Sequence, residues 1–346
     1  MSPIPQTMPA VAYRKSLPVD DAESLLDVTL PVPQPGPRDL LVRVEAVAVN
    51  PVDHKVRQNN DPNGEPKVLG WDAAGTVVAV GEEVTSFRVG DEVFYAGALD
   101  RPGSNSRYHA VDERLVGRKP ATLSFSEAAA LPLTSLTAWE GLFEHLGLHD
   151  GALRQTGTLL VTAAAGGVGA MVSQLARAVT SLTVIGTASR PETTEFARRM
   201  GASHIVDHHR PLPPQVAEVA PDGVDFVFST AGTDRNLAAY ADVLKPFGRI
   251  VAIDDFGPVE IGVLKSKSIA FHWEFMFTRS LHRTADQAEQ GRILNQVSRL
   301  VDAGILTTTA TTDLGTVDAA HLREAHRVLE SGKAIGKITL TGFSGA

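Results

Sequence analysis

The sequence predicts an α/β protein that combines a doubly wound parallel sheet with a second, mainly β domain. Residues 1–130 consist of short strand patterns separated by turns, whereas from residue 131 short apolar runs alternate with amphipathic helices. Uniformly apolar strands between such helices are typical of a parallel sheet covered on both faces. The chain has 346 residues, more than one hydrophobic core usually serves, so we expect two domains.

The β domain is predicted from alternating polarity. In Leu40–Val49, Arg43 and Glu45 alternate with valines, which is the period-two pattern of a half-buried strand. Trp71–Val80 and Glu92–Tyr95 show similar patterns.

The parallel sheet is predicted from apolar runs. Four of its strands are expected at Thr158–Ala163, Leu182–Thr187, Val224–Thr230 and Arg249–Ile253. Ser268–Phe271 is expected to supply the sixth strand of the sheet. Between the first two strands, Val168–Val179 repeats apolar residues at the spacing of one helix face.

The last segment, 278–346, carries helical patterns at Ala285–Ala303 and Asp318–Ser331 and a strand pattern at Gly336–Leu340. We expect this segment to return to the first domain, which would then be discontinuous. The predicted boundaries are therefore 1–130, 131–277 and 278–346.

Charge and composition exclude several functions. The net charge of −8 and the pI of about 5.8 disfavour a general binder of nucleic acid or anionic membranes. The absence of cysteine excludes disulfides, thiolate catalysis and any zinc site built on cysteine. No apolar run approaches the ~18 residues of a membrane helix, and residues 1–10 lack the pattern of a signal peptide. We therefore expect a cytoplasmic protein.

A glycine-rich turn connects the first strand of the parallel sheet to its helix. Close approach to a pyrophosphate needs glycine, and a helix N-terminus offers free N–H groups. This segment lacks the strict GxGxxG spacing, but the strand before it and the helix after it favour a dinucleotide site over a plain turn. The residues expected to bind the cofactor here are Ala165, Gly166, Gly167, Val168 and Gly169.

The next strand indicates which dinucleotide is bound. An NAD site usually has an acidic residue about 20 positions beyond the glycines. Here Ser189 occupies that place (189 − 169 = 20), and Arg190 follows. A hydroxyl and a guanidinium would bind the 2′-phosphate of NADP, so NADP is favoured, the alternative being that Arg190 is a solvated loop residue. His208 either adds to this phosphate pocket or lies in an exposed loop.

The whole chain resembles the medium-chain dehydrogenase/reductase superfamily, and within it the quinone oxidoreductase-like branch often labelled "zinc-type alcohol dehydrogenase-like". The resemblance implies a Rossmann domain for NADP and a discontinuous GroES-like catalytic domain. It rests on motifs that include Ala48–Arg57 (AVNPVDHKVR), Leu69–Gly75 (LGWDAAG), Ala163–Gly169 (AAAGGVG), His272–Arg279 (HWEFMFTR) and Glu330–Lys337 (ESGKAIGK).

The zinc ligands of the resembled alcohol dehydrogenases are missing. Their first cysteine corresponds to the Asn50–Asp53 segment, their histidine to Trp71, and their second cysteine falls near Leu133. Without a Lewis acid, no group is available to lower the pKa of an alcohol for hydride removal. The resemblance therefore implies a reductase without zinc.

The resemblance also implies the positions of the site residues. Asn50 is expected to donate a hydrogen bond beside the nicotinamide, the alternative being a turn-forming residue before Pro51. Asp53 is expected to orient the backbone more than to transfer a proton. Lys55 replaces a family tyrosine and is either a proton source or a surface residue, while Trp71 is either an apolar wall or core. Further cofactor contacts are expected at Thr137, Thr230, Ile253 and Lys337.

The function expected from these features is reduction of quinones or α,β-unsaturated carbonyls by NADPH in a homodimer. The alternatives are an enoyl- or aldehyde-type reductase, an alcohol dehydrogenase-like enzyme, and an NADP(H)-binding protein or sensor with little turnover. Hydrolysis is disfavoured because no GxSxG motif is present, and β-elimination because no acid–base pair is evident.

Overall fold

The structure is a computed structural model that describes residues 3–148 and 156–343. The strands are β1 (Thr7–Tyr13), β2 (Leu26–Pro31), β3 (Asp39–Ala48), β4 (Lys67–Val68), β5 (Asp72–Val80), β6 (Glu92–Tyr95), β7 (Tyr108–Asp112), β8 (Val116–Arg118), β9 (Thr156–Val161), β10 (Ser181–Thr187), β11 (His204–Val206), β12 (Val224–Ser229), β13 (Leu244–Ala252), β14 (Ala270–Trp273), β15 (Ala310–Asp313) and β16 (Lys337–Thr341).

The α-helices are α1 (Pro51–Asn59), α2 (Phe125–Ala129), α3 (Pro132–Trp139), α4 (Gly167–Val179), α5 (Pro191–Arg199), α6 (Leu212–Val219), α7 (Thr233–Val243), α8 (Thr278–His282), α9 (Glu289–Asp302) and α10 (Ala319–Glu330). A π-helix, Glu140–His145, continues α3, and short 3₁₀ helices lie at Glu113–Leu115 and Ile261–Lys267.

The chain divides into two compact units. Unit 1 comprises Met1–Leu133 and Phe277–Ala346, and unit 2 comprises Thr134–Met276. Unit 1 is thus discontinuous in sequence.

Unit 1 is built mainly from strands. Its larger sheet has the order β15-β16-β3-β5-β6-β8, with β7 also paired to β3, and a smaller sheet has the order β2-β1-β4. In β3 the polar Arg43 and Glu45 are half-buried and bond to each other at 2.7 Å, whereas the flanking valines are buried. In β5 a Cβ at Gly75 would lie 2.1 Å from the carbonyl oxygen of Arg43, so only glycine allows the two strands to approach this closely.

Unit 2 is the predicted doubly wound domain. Its six strands have the order β11-β10-β9-β12-β13-β14, and every neighbouring pair is parallel. The apolar face of α4 is buried as its spacing predicts, with Met171, Val172 and Leu175 in the core. The α/β fold class is therefore confirmed.

One strand differs substantially from its prediction. The apolar run predicts a strand over Arg249–Ile253, whereas β13 begins at Leu244. The register with β12 shifts between Leu244 and Arg249, and Phe247 has a left-handed φ of 64° and a largely exposed ring. The apolar run marks only the regular part of the strand, because Leu244, although buried in the core, is separated from that run by polar or exposed residues that include Phe247.

Candidate functional site

The glycine-rich turn lies between the carboxyl end of β9 and the start of α4. Gly166 caps the helix with extended backbone, and its N–H bonds to the carbonyl of Ala163 at 2.9 Å. A Cβ at Gly169 would lie 2.4 Å from that same carbonyl oxygen. The first turn of α4 contains no acidic residue. The N–H groups of a helix start with no negative charge beside them form a site for an anion such as a diphosphate.

Hydrogen bonds connect the carboxyl ends of neighbouring strands at this edge of the sheet. The Thr230 N–H donates to Thr162 Oγ1 at 2.7 Å, and the Ile253 N–H donates to the Ser229 carbonyl at 3.1 Å. Thr230 and Ile253 are half-buried there, and Thr137 is buried within α3. In doubly wound sheets this carboxyl edge is where ligands bind. The predicted contacts of these three residues with a cofactor remain predictions.

The residues predicted to bind the 2′-phosphate follow adjacent strands. Ser189 and Arg190 come after β10 and His208 after β11, and the Ala188 N–H bonds to the Val206 carbonyl at 3.0 Å. Partial desolvation is the main cause that lowers the pKa of His208, and the positive charges of His209 and Arg190 lower it further. The structure therefore brings the Arg190 guanidinium near a His208 imidazole whose lowered pKa favours its neutral form, with Asp207 and Glu192 as the acidic neighbours. His208 is exposed, so it can meet an anion from solvent.

In unit 1 a buried polar cluster forms around Asp72, at the start of β5. One carboxylate oxygen, Oδ1, accepts the Leu133 N–H at 2.7 Å. The other, Oδ2, accepts from Asn50 Nδ2 and from Lys337 Nζ, both at 2.9 Å. The Lys337 ammonium also donates to the Val49 carbonyl and to Asn50 Oδ1, so all three of its hydrogens have acceptors. We call Asn50, Asp53, Asp72 and Lys337 the buried cluster.

Asp53 caps the start of α1 within this cluster. Its Oδ2 accepts the Asn50 N–H at 2.7 Å, while its buried Oδ1 has no hydrogen-bond partner. Burial raises the pKa of Asp53 to about 7, since desolvation and the Asp72 charge outweigh the opposing effects of hydrogen bonds and Lys337. This contact holds the backbone at the start of α1, and the predicted part of Asp53 in the reaction stays a prediction.

The two other residues predicted for catalysis also lie in unit 1. Trp71 is 2% exposed, donates from Nε1 to the Ala98 carbonyl at 3.2 Å, and packs edge-on against Phe277. Its indole therefore fills the core of unit 1. Lys55 is half-buried on α1. Arg57, on the same helix, pairs with Glu330.

The donor set at the position of a catalytic zinc does not fit that ion. Zinc sites are built from thiolates, imidazoles and carboxylates, whereas Asp72 here is bonded to an ammonium group, Asn50 supplies an amide and Trp71 an indole. Among the residues that the structure describes, no three His, Asp or Glu side chains converge as a metal site would require.

The contact between Asp72 and Lys337 is not predicted by the sequence. They are 265 positions apart and meet only because β16 joins the sheet of β3 and β5. The one signal for it in the sequence is Asp72 itself, which directly follows Trp71 at the position of the missing histidine ligand. If the Asp72 carboxylate is buried there, it requires a cation from elsewhere in the chain.

Comparison with known protein families gives two matches. Residues 36–138 match the model of the alcohol dehydrogenase GroES-like domain, and residues 200–340 match that of the zinc-binding dehydrogenases.

Two relatives illustrate the range of similarity. A zinc-type alcohol dehydrogenase-like protein of Staphylococcus epidermidis is 37% identical over 96% of this chain and 99% of its own. An NADPH-dependent alkenal/one oxidoreductase of Arabidopsis thaliana chloroplasts is 35% identical over 72% of this chain and 63% of its own.

Solved structures show the same architecture. One from Rhizobium etli, provisionally described as a zinc-dependent alcohol dehydrogenase protein, superposes with a TM-score of 0.93 and 51% identity, over 98% of this chain and 99% of its own. A quinone oxidoreductase of Pseudomonas syringae superposes with a TM-score of 0.81 and 27% identity, over 96% and 99%. Within the described part of the chain, every helix is too short or too polar to cross a membrane.

Proposed function

Because the chain belongs to the zinc-type alcohol dehydrogenase-like family of medium-chain dehydrogenases/reductases, we propose that it reduces quinones or α,β-unsaturated carbonyls with NADPH and without zinc. Oxidoreductase chemistry follows from the family. The Arabidopsis and Pseudomonas relatives support the proposed acceptor classes, and the former also supports NADPH. The observation that carries the proposal is the bond between Lys337 and Asp72 where a zinc site would lie.

We assign cofactor binding to unit 2. The N-terminus of α4 and the glycines around it would hold the diphosphate, and Thr230 and Ile253 lie at the same edge of the sheet. Arg190 would pair with the 2′-phosphate, because a guanidinium binds phosphate with charge-assisted hydrogen bonds. When bound, NADPH supplies a hydride to the electrophilic carbon of the acceptor.

We assign acceptor binding to polar groups of unit 1. Asn50 Nδ2 donates one hydrogen to Asp72, while its second hydrogen makes only a long contact of 3.5 Å with the Ala48 carbonyl. Asn50 is buried, so the acceptor oxygen would have to replace the Ala48 contact; the second hydrogen would then stabilise the negative charge that develops on that oxygen. Lys55, half-buried on the helix that Asn50 caps, would deliver the proton that completes the reduction.

The experiment that tests this function is steady-state NADPH oxidation with a series of quinones and enones, alongside metal analysis of the purified protein. The proposal expects turnover that EDTA does not reduce. NADPH binding without consumption across the whole series would favour a binder or sensor. One tightly bound zinc ion per chain would contradict the account of the buried cluster.

Arg190→Ala tests the choice of cofactor. We expect kcat/KM with NADPH to fall about 10- to 100-fold, because a hydrogen-bonded charge pair contributes about 1.5–3 kcal/mol, while kcat/KM with NADH stays unchanged. The measurement is initial rates with both cofactors at one acceptor concentration. Arg210→Ala is the matched control, since Arg210 is an exposed arginine four residues after the end of β11. An equal loss of kcat/KM with NADPH and with NADH would show that Arg190 does not bind the 2′-phosphate.

We also propose a cytoplasmic homodimer. β14 is the edge strand of the unit 2 sheet, and its Trp273 is 54% exposed and stacked on Phe256 at a ring distance of 4.6 Å. Phe275, two residues beyond the strand, is 49% exposed. An edge strand bearing exposed aromatic rings is usually covered by a partner, and a second copy of the same edge fits this requirement.

Trp273→Glu tests this assembly. Light scattering after gel filtration should give twice the chain mass of 36.8 kDa for the wild-type protein and a single chain mass for the variant, since a buried unpaired carboxylate opposes association. Ile305→Glu, which changes an exposed apolar residue of unit 1, should remain dimeric. A monomeric wild-type protein would refute the proposal.

A further inference from the structure

The buried cluster of unit 1 contains a cation supplied by the chain itself. Lys337 is 4% exposed and Asp72 is fully buried. An ion pair removed from water is stable only if its remaining hydrogen-bonding groups are also satisfied. Here the ammonium has three acceptors and the Asp72 carboxylate three donors, so this requirement is met.

The Lys337 ammonium lies among the residues that correspond to the zinc ligands of the resembled alcohol dehydrogenases. It bonds directly to Asn50 and to Asp72, and Asp72 bonds to the backbone of Leu133. These contacts bring together the start of α1, the start of β5 and the residue just inside α3. A single positive charge thus connects three segments that are distant in sequence.

We propose that Lys337 is a positioning residue that acts as the internal cation of the acceptor site, fixing the Asn50 carboxamide through direct contact and through Asp72. Because Lys337 Nζ donates to Asn50 Oδ1, the amide cannot flip, and its Nδ2 hydrogens keep one direction. The inference rests on the proposed function, since it assigns Asn50 Nδ2 to the acceptor oxygen.

The role differs from the predicted contact of Lys337 with the cofactor. All three ammonium hydrogens are used inside unit 1, so the effect of Lys337 reaches the reaction through Asn50. Loss of Lys337 should consequently change turnover and leave cofactor affinity unaltered.

The first test compares Lys337→Met, which keeps the length and removes the charge, with Lys15→Met, a control at an exposed lysine of unit 1. We expect kcat to fall about 10- to 100-fold, as for other residues that orient a reacting group. The Kd of NADPH, measured by fluorescence titration, should stay within about twofold of the wild-type value. Wild-type kcat in Lys337→Met would overturn the proposal.

The second test is chemical rescue of Lys337→Ala. n-Propylammonium replaces the atoms that the substitution removes, and 1-propanol has a similar shape without the charge. Rescue of kcat by the ammonium alone supports a cation that positions Asn50. Equal effects of the two compounds, including no effect of either, would overturn it.

The third readout does not need activity. Without Lys337, the buried Asp72 carboxylate has no counter-charge inside unit 1, and a buried unpaired charge lowers the free energy of unfolding. Lys337→Met should therefore be less stable in urea unfolding at pH 7 than Lys337→Met/Asp72→Asn, in which that charge is absent. A double variant no more stable than Lys337→Met would contradict the cation role. If the wild-type protein oxidised no NADPH with any acceptor, the proposed function would fail while this readout still decided whether Lys337 is the internal cation.

Discussion

Gly169→Val is expected to abolish measurable NADPH binding. A Cβ at this position would lie 2.4 Å from the Ala163 carbonyl oxygen and 2.8 Å from the Ala164 Cα, both backbone atoms that cannot rotate away. The turn before α4 must then move, and the helix N–H groups lose the direction in which they would meet a diphosphate. We expect the Kd of NADPH, measured by nicotinamide fluorescence, to rise more than about 100-fold, equivalent to about 3 kcal/mol of binding free energy.

The control is Gly257→Val, at an exposed glycine of unit 2 where no atom lies within 4 Å of an added Cβ. It should bind NADPH as the wild-type protein does. Circular dichroism of Gly169→Val checks that the sheet is still folded. Normal NADPH affinity in folded Gly169→Val would show that the diphosphate does not lie on this turn.

Asp53→Asn is expected to stabilise the protein at neutral and alkaline pH. Burial raises the pKa of Asp53 to about 7 from an ordinary value of 3.8. Between these values the native state keeps a proton that the unfolded state has lost, so wild-type stability falls as the pH rises from about 4 to 7. Asparagine can still accept the Asn50 N–H but has no proton to lose. At pH 8 the variant should gain on the order of 2 to 4 kcal/mol of unfolding free energy.

The measurement is urea unfolding at pH 4, 6 and 8. The two proteins should have similar stability at pH 4 and diverge as the pH rises. Asp61→Asn is the control of opposite sign, because backbone hydrogen bonds from Asn63 and Ser16 lower the pKa of that exposed carboxyl. That variant should lose stability above about pH 4. A destabilised Asp53→Asn at pH 8 would mean that the Asp53 carboxylate is favoured where it lies.

The parallel sheet could be predicted because burial on both faces leaves a direct trace in sequence. An apolar run forms the centre of Leu182–Thr187 and of Val224–Thr230, and each segment matches a strand of the structure to within one residue. The first part of β13 could not be found this way. Its Phe247 is largely exposed and adopts a left-handed φ. An apolar run in the sequence does not predict such a backbone conformation.

The residues of the cofactor site could be predicted from the sequence, whereas the contacts of the buried cluster could not. Gly169 and Arg190 lie near each other in sequence and follow consecutive strands, so their positions follow from the strand–helix–strand pattern. Asp72 and Lys337 meet through the pairing of β16 with β3 and of β3 with β5. No local sequence pattern specifies that pairing. The identity of Asp53 as a polar residue likewise does not show that its side chain is completely buried.

The place of the cofactor is tested most directly by a crystal structure of the protein grown or soaked with NADPH. We predict the diphosphate on the N–H groups at the start of α4 and the 2′-phosphate within hydrogen-bonding distance of the Arg190 guanidinium. NADPH bound elsewhere, or unliganded α4 and Arg190 in crystals saturated with NADPH, would contradict this prediction.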